Sequence, residues 1–188
     1  LQLAWGGEAF NFEGKRYRCS NRRVTPDPVQ QGGPPLWLAA TSRAGAQRAA
    51  AFGTHLLPQG PKSLTIDPWI EAVGDISDRR VGLIRGVFVT DDPDREWEPV
   101  AAAERYRRDV YVGLIKASQD HKSEVASRSV SKEARPPIPL NPLVWTVGNA
   151  DHCVAELQEL ITSNGITDLV TWGGPPGLAP SVMNDSLT

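Results

Sequence analysis

The hydrophobic positions of this chain fall into short apolar runs separated by segments of helical spacing. The runs are LWLAA (36–40), THLLPQ (54–59), RVGLIRGVFVTDD (80–92), LVWTVG (143–148) and ITDLVTW (166–172). Short runs with little polar alternation, bounded by turn residues, are typical of strands that are buried on both faces. The pattern therefore predicts strands of a parallel sheet.

Helix signals fill most of the gaps between these runs. The predicted helices are RAGAQRAAAFG (43–53), DPWIEAVGD (67–75), the segment 99–117 and NADHCVAELQELITSNG (149–165). Asp67 with Pro68, and Asn149 or Asp151, are suitable N-terminal caps, and Gly53 and Gly165 are C-terminal stops. The expected apolar stripes are Val100, Ala103, Val110 and Leu114 in the third helix, and Val154, Leu157, Leu160 and Ile161 in the fourth.

Three other segments lack this alternation. AFNF and KRYRC, on either side of Glu13-Gly14, predict a small hairpin. TPDPVQQGGPP (25–35) contains too many prolines and glycines for a regular element. Residues 118–142 are polar and then proline-rich without a period, and we expect a mobile loop there.

Alternating strands and helices indicate the α/β class with a parallel sheet. A complete (β/α)₈ barrel typically needs about 250 residues, whereas this chain has 188 and about four strand–helix units. The sequence predicts one domain, either a small open sheet or part of a barrel. Because the chain begins at Leu1 and ends abruptly, we expect a fragment or a processed piece.

Composition excludes several classes of protein. The formal net charge is −2, which gives no electrostatic case for nucleic acid or an anionic membrane. No apolar run approaches the roughly 18 residues of a membrane span, and no signal peptide is visible, so we expect a cytoplasmic protein. Cys19 and Cys153 are far apart with no CxxC, which makes a disulfide framework or a zinc site an unsuitable interpretation.

Thr41 and Ser42 stand where a predicted strand ends and a predicted helix begins. The first N–H groups of a helix have no internal partners, and the helix dipole is positive there, so a phosphate is a natural ligand. The two hydroxyls supply further donors, Arg43 supplies charge, and small residues from Ala44 allow close approach. The alternative is that Ser42 is only an N-cap.

Other candidate chemistry is weaker. His55 lies in an apolar run, His121 in the predicted loop, and His152 in the first turn of a helix. Asp91 and Asp92, followed by Asp94, could bind a metal, but TDDPDREW favours a turn. No nucleophile elbow, HExxH or P-loop is present. We assign no metal site and no catalytic residue from the sequence.

The succession of motifs resembles a known family. EAFNFEGKRYRC, PDPVQQGGPPLWLAATSRAGAQRAAAFG and HLLPQG are similar to the central part of luciferase-like monooxygenases. WTVGNADHCVAELQELITSNGITDLVTWGGPPG is similar to the C-terminal region of that family. The resemblance spans nearly the whole chain and keeps the order of the motifs.

The resemblance implies a TIM barrel, of which this chain supplies roughly strands five to eight, and reduced FMN or coenzyme F420 as cofactor. The cofactor phosphate falls on Thr41, Ser42 and the backbone of Arg43 and Ala44. The mouth residues His55, Gln59 and Trp172 lie near the ring or the substrate. The implied reaction is oxidation of a small-molecule substrate, either with O₂ and FMNH₂ from a flavin reductase or with F420.

The resemblance also implies that much of the ring-binding apparatus lies on four strands that are absent here. We therefore expect the isolated chain to be inactive, and to pair with a copy of itself or with a half barrel that completes it. Two alternatives remain at this stage. One is a non-catalytic half-barrel module, and the other is an unrelated TIM-barrel enzyme with a phosphorylated substrate.

Overall fold

The computed structural model describes residues 1–123, 145–172, 174 and 177–185, and the side chains of residues 115–123, 172, 183 and 185 lie outside this description. The chain divides into two compact units, Leu1–Leu36 and Trp37–Thr188. Each is considered by itself below. Part of the predicted mobile loop, residues 124–142, falls outside the described residues.

The first unit contains the predicted hairpin. Strand β1 (Phe10–Glu13) pairs with β2 (Arg18–Arg22) in antiparallel register, and the N–H of Gly14 donates to the carbonyl of Tyr17 at 2.9 Å to close the turn. No strand or helix forms between residues 23 and 36, as the prolines predict. Gly33 has φ of 90°, and a Cβ there would lie 2.3 Å from the Trp5 ring, so only glycine fits.

The described residues of the second unit form five parallel strands, one at each predicted run. They are β3 (Trp37–Ala40), β4 (His55–Pro58), β5 (Gly82–Val89), β6 (Trp145–Gly148) and β7 (Asp168–Trp172). β3 pairs with β4, and β5 pairs with both β6 and β7. A single bridge between Leu56 and Val81 connects the two groups. The predicted α/β class with parallel strands is confirmed.

β4 and β6 lie on the same edge of β5, at different heights. The Leu56 N–H donates to the Arg80 carbonyl at 3.0 Å, and the Thr90 N–H donates to the Gly148 carbonyl at 2.8 Å. On the other edge, the Asp168 N–H donates to the Val81 carbonyl at 3.2 Å. Successive peptide groups of a strand face opposite edges. β6 therefore continues the line of β4 beyond the carboxyl end of β4.

Four of the described helices lie at the predicted places between strands or before β7, whereas a fifth, short helix after the last strand was not predicted. They are α1 (Arg43–Ala51), α2 (Ile66–Val73), α3 (Pro93–Ser123), α4 (Ala150–Asn164) and α5 (Pro180–Asp185). Asn149 caps α4 by accepting the His152 N–H at 2.9 Å, and Gly165 ends it with φ of 65°. The N-cap of α2 is Thr65 rather than Asp67, whose carboxylate instead pairs with Lys62 at 2.8 Å.

α3 corrects the predicted bounds of the third helix and of the loop after it. The helix begins at Pro93, passes through Pro99 and continues to Ser123, so residues 118–123 are helical rather than loop. A polar segment can extend an existing helix because each added residue gains one backbone hydrogen bond without a new nucleus. Pro99 forfeits one such bond without ending the helix.

The outer face of the sheet, defined as the face on which α1 and α2 pack, carries the apolar core. Leu56, Leu83 and Trp69 are fully buried there. The other core residues are Ala40, Ala46, Ala49, Ile66, Val81 and Ile166. The alanines of α1 allow close packing of helix on sheet, as their spacing predicts.

Two predicted stripes are only partly buried. Val110 and Leu114 of α3 are 44% and 63% exposed, and Val154 of α4 is 53% exposed. Cys153, 3% exposed, takes the place expected for Val154. Spacing identifies a helix face, but burial needs a surface opposite it, which the pattern of one helix cannot supply.

The inner face, opposite α1 and α2, carries aromatic and polar residues. Trp37 and His55 are in ring contact there, with centroids 4.8 Å apart. A Cβ on Gly82 would lie 2.8 Å from the Leu57 side chain and 3.0 Å from Trp37, which places these residues on the same face. Val170 on this side of β7 is 52% exposed.

Candidate functional site

The candidate anion site lies where β3 ends and α1 begins. Ser42 has extended backbone angles and is the N-cap of α1, and its Oγ accepts the Gly45 N–H at 3.3 Å. The Ser42 carbonyl accepts the Ala46 N–H at 3.0 Å, which starts the helix. Ser42 is therefore an N-cap, and this role does not decide whether it also binds a phosphate. The hydroxyl keeps its own hydrogen as a donor for a ligand.

Unused donors surround this cap. Within the described residues, the backbone N–H groups of Arg43 and Ala44 have no hydrogen-bond partner. Thr41, Ser42, Arg43 and Ala44 are all solvent-exposed. Two free N–H groups, two hydroxyls and the positive end of a helix dipole are the components of a phosphate site.

The Arg43 side chain already has a partner. Its Nη1 lies 3.3 Å from Oε2 of Glu71 in α2, and both side chains are largely exposed. An exposed pair of this kind contributes little energy, so an anion could compete for the guanidinium. The geometry therefore supports the backbone N–H of Arg43 as a donor to an anion better than it supports the side chain.

Gln59 lies beside this site, whereas His55 does not. The Gln59 N–H donates to the Ala40 carbonyl at 2.8 Å, and a Cβ on Gly60 would lie 3.0 Å from the Thr41 carbonyl oxygen. His55 is the first residue of β4, so it lies at the amino end of the strand, about 10 Å from the carboxyl end. The structure separates His55 from Ser42.

His55 has a defined environment of its own. Its Nδ1 accepts the Arg80 N–H at 3.3 Å. Burial, followed by the charges of Arg79 and Arg80, lowers the pKa of His55 below its ordinary value of 6.5, against a smaller opposing effect of Asp168. The lowered pKa favours the neutral ring, and the contacts of His55 are structural.

Trp172, the third predicted mouth residue, is the last residue of β7 and pairs with Gly86. Its backbone is at the carboxyl end of the sheet, the end that also carries Ser42. Its side chain lies outside the described residues, so its predicted role near the ring stays a prediction.

A cavity of about 510 Å³, which we call the aromatic cavity, lies between α3 and β6. Trp97 and Trp145 form its walls, with ring centroids 5.6 Å apart. Arg105 and Arg108 also line it. Sequence reasoning missed this cavity, because Trp97 and Trp145 are distant in the sequence and no local pattern connects them.

A buried ion pair supports the aromatic cavity from within α3. Arg107 contacts the Glu104 carboxylate through two nitrogens at 2.8 and 2.7 Å, and the two side chains are only 10% and 3% exposed. The bidentate geometry neutralises the Glu104 charge. Arg107 is therefore largely buried, whereas its neighbours Arg105 and Arg108 are exposed.

Arg85 is a second buried charge that sequence reasoning missed. It is 3% exposed, on the same side of β5 as Leu83, and its Nε and Nη1 have no hydrogen-bond partner among the described residues. Burial lowers the pKa of Arg85, and the charge of Glu156 acts in the opposite direction. Glu156 in turn accepts the Thr146 hydroxyl at 2.9 Å.

The acidic cluster after β5 has a structural role. Oδ1 of Asp92 accepts the Arg95 N–H at 3.3 Å, as expected of a turn at a helix start. In the part of the chain that the structure describes, no group of three His, Cys, Asp or Glu residues could hold a metal ion. Cys19 and Cys153 are free thiols.

A comparison of the sequence with known protein families identifies it. The profile of the luciferase-like monooxygenases matches residues 1–168. The chain belongs to this family. The resemblance expected from the sequence motifs is confirmed, and the alternative of an unrelated TIM-barrel enzyme is wrong.

Solved structures share the fold at low sequence identity. Monooxygenase RslO1 from Streptomyces bottropensis has a TM-score of 0.70 and 16% identity, over 99% of this chain and 55% of that protein. An F420-dependent secondary alcohol dehydrogenase, in complex with an F420-acetone adduct, has a TM-score of 0.61 and 18% identity, over 90% of this chain and 52% of that protein.

A third structure binds FMN. It is the oxygenating constituent of 3,6-diketocamphane monooxygenase from Pseudomonas putida in complex with FMN, a type II Baeyer-Villiger monooxygenase. Its TM-score is 0.57 and its identity 16%, over 97% of this chain and 57% of that protein. The chain spans about half the length of these structures, and its partial parallel sheet is consistent with part of a barrel.

Among the described residues, no helix has the length and apolar character that crossing a membrane requires.

Proposed function

We propose that this chain carries the cofactor-phosphate site of a luciferase-like oxidoreductase that uses reduced FMN or coenzyme F420. The observation that carries the proposal is the exposed N-terminus of α1, where the Ser42 hydroxyl and the free N–H groups of Arg43 and Ala44 converge. Membership of the family supplies the cofactor class, and the FMN complex and the F420-dependent enzyme among the similar structures support both options.

The residues present fit a phosphate. A tetrahedral anion accepts several hydrogen bonds, and this helix end offers backbone donors with no competing partner. Thr41 and Ser42 add two hydroxyl donors, and Gly60 allows the loop after β4 to approach Thr41 closely. Gln59 at the end of β4 would lie next to the bound group.

The roles of this chain in the reaction are binding and positioning. The helix end would hold the phosphate at the carboxyl ends of β3 and β4. The bound cofactor would supply oxidation chemistry, through O₂ with FMNH₂ or hydride transfer with F420. The inner face of the sheet would help to exclude water from the reacting atoms.

We propose that β3, β4, β5 and β7 correspond to strands five to eight of the family barrel. β3–β4 and β5–β7 pair directly, and the Leu56–Val81 bridge connects β4 to β5, which gives this order around the sheet. β6 is then an additional strand that continues the line of β4 beyond its carboxyl end. The ring-binding strands would belong to the other half of a barrel, so the isolated chain is expected to show no turnover.

Binding of FMN and of riboflavin to the 188-residue chain, measured by isothermal titration calorimetry, tests the phosphate site. We expect FMN to bind more tightly than riboflavin, because only FMN has the phosphate. F420 and its deazaflavin core without the phosphate form the matching pair. Ser42→Ala should weaken the phosphate-bearing ligand by about 1–2 kcal/mol, the worth of a hydrogen bond to a charged group.

Asn149→Ala is the matched control, since Asn149 caps α4 as Ser42 caps α1. It should reduce helix stability by about 1 kcal/mol without changing the preference for FMN over riboflavin. Equal binding of FMN and riboflavin, or an unchanged preference in Ser42→Ala, would return Ser42 to a plain N-cap and reject the proposal.

A second candidate function is a half-barrel module that pairs with another chain. The observation that favours it is the exposed inner face, where Val170 is 52% exposed, together with β3 and β7, each paired on one edge only within the described strands. Unpaired edges are templates for further strands. Sedimentation velocity distinguishes a monomer from a homo-oligomer, and a flavin reductase or a complementary half barrel would be sought as partners of the FMN form.

A further inference from the structure

We propose that the aromatic cavity between α3 and β6 receives the substrate, and that this substrate is a flat aromatic molecule with a carboxylate. The inference rests on the proposed function, because it takes the carboxyl end of the sheet as the place of the reaction. It adds a substrate class, which neither the family nor the phosphate site specifies.

The position of the cavity supports a substrate site. A Cβ on Gly86 would lie 2.3 Å from the Trp145 ring, and Gly86 faces the same side of β5 as Gly82. The cavity is therefore on the inner face. Because β6 continues the line of β4 beyond its carboxyl end, the cavity also lies at the end of the sheet that carries Ser42.

The walls of the cavity suit a planar apolar molecule. The Trp97 and Trp145 rings are tilted by 55°, and Trp97 also contacts Phe88 at a centroid distance of 6.1 Å. Aromatic surfaces favour offset or edge contacts with another ring. The buried Trp145 Nε1–H has no acceptor among the described residues, so an oxygen of the ligand would satisfy it.

The charges at the cavity favour an anion. Glu104 is neutralised by Arg107, and Arg105 pairs with Glu98 at 2.9 Å. Arg108 is exposed, and within the described residues it has no hydrogen bond or ion pair. Its guanidinium is therefore the available donor for a carboxylate, which it can bind through two parallel N–H groups.

The test measures binding of 2-naphthoate to the full 188-residue chain by calorimetry, with neutral 2-naphthamide and non-aromatic cyclohexanecarboxylate for comparison. We expect 2-naphthoate to bind at least about tenfold more tightly than 2-naphthamide, since a hydrogen bond to a charged group is worth about that factor. It should also bind more tightly than cyclohexanecarboxylate, which has no aromatic ring to contact Trp97 and Trp145. Arg108→Gln should weaken 2-naphthoate about tenfold and leave 2-naphthamide unchanged.

Two further variants locate the effect. Trp97→Leu should weaken both naphthyl ligands, and Trp97→Phe, which retains a ring, should restore most of the affinity. Arg48→Gln, an exposed arginine in α1, should change neither affinity. Arg108 is exposed, so Arg108→Gln should leave the fold intact, and circular dichroism verifies this.

The outcomes separate this inference from the proposed function. Loss of naphthoate selectivity in Arg108→Gln, with unchanged binding in Ser42→Ala, supports the aromatic cavity as an independent site. No binding of 2-naphthoate, or equal affinity in Arg108→Gln, overturns the inference while the FMN test at Ser42 stands. Failure of FMN binding with Arg108-dependent naphthoate binding rejects the proposed cofactor site and keeps the ligand class of the cavity.

Discussion

The two faces of the sheet in the second unit are built from different kinds of residue. On the outer face, Leu56, Leu83 and Trp69 are completely buried under α1 and α2. On the inner face, Trp37 and Trp145 stand among polar groups, and Val170 is half exposed. Both faces belong to the same short strands, so alternate residues along one strand serve different purposes.

The outer face therefore supplies most of the apolar packing that stabilises the fold, whereas the proposed substrate cavity lies on the inner face. Apolar area removed from water contributes about 25 cal/mol per Å², and most of that area is on the helix side. A face that contributes little to stability is free to carry unpaired rings and charges. The aromatic cavity lies on this inner face, and the candidate anion site lies at the exposed carboxyl end of β3.

Trp69→Ala should have the largest effect on the outer face. Trp69 is fully buried in the core, and truncation of a buried tryptophan typically costs about 3–5 kcal/mol. We expect that loss in the free energy of unfolding by urea denaturation. Its buried Nε1–H has no acceptor among the described residues, which reduces the cost toward the lower value.

Val170→Ala is the matched change on the inner face. Val170 is 52% exposed, so its truncation should cost less than about 0.5 kcal/mol. A loss comparable to that of Trp69→Ala would show that Val170 is buried in solution. The inner face would then also contribute to stability, as expected if the chain pairs with another half barrel.

Much of the fold could be predicted from the chain itself, because its signals are local. Apolar runs located all five parallel strands, and Asn149 and Gly165 marked the ends of α4. The beginning of α3 was predicted six residues too late because Pro99 normally interrupts a helix, whereas Asp92 and Pro93 mark its true beginning.

The two candidate sites also differ in whether local sequence signals reveal them. Thr41 and Ser42 could be found because strand end, hydroxyl and helix start are adjacent in sequence. Trp97 and Trp145 are distant in sequence, and they meet only because β6 pairs with the last residues of β5. The resemblance to the family implied a mouth position for His55, but the apolar run that contains it does not show which end of the strand it occupies.

Arg85→Met tests an exception on the outer face, with a smaller expected effect. Two buried guanidinium nitrogens of Arg85 have no partner in the part of the chain that the structure describes, and an unsatisfied buried group costs about 1–3 kcal/mol. Methionine fills a similar volume, so we expect a gain of about 1 kcal/mol in the free energy of unfolding.

Glu156→Gln provides the second arm of a double-mutant cycle. It keeps the acceptor for Thr146 but removes the charge that faces Arg85, so it should destabilise the native chain and have no effect in the Arg85→Met background. If Arg85→Met instead destabilises the chain, the charge of Glu156 compensates the burial of Arg85 fully. The outer face would then contain a stabilising interaction between these two charges.

His55 gives the smallest expected effect, which appears only as a dependence on pH. Its folded pKa lies below the ordinary value of 6.5, so the unfolded chain binds a proton more readily than the folded chain. Stability should therefore fall as the pH decreases through 6.5 toward the folded pKa, and should be unaffected by His55 above that window.

His55→Gln removes this titration, so the difference in unfolding free energy between the native chain and the variant should change between pH 7.5 and pH values below 6.5. An imidazole midpoint below 6.5, followed by NMR and assigned by its loss in His55→Gln, measures the same shift directly. Identical pH profiles in the two proteins would contradict it. In that case the contact of His55 with Trp37 and the Arg80 N–H would contribute packing alone. His55 would then stabilise the amino end of the inner face without making the stability of the chain depend on pH.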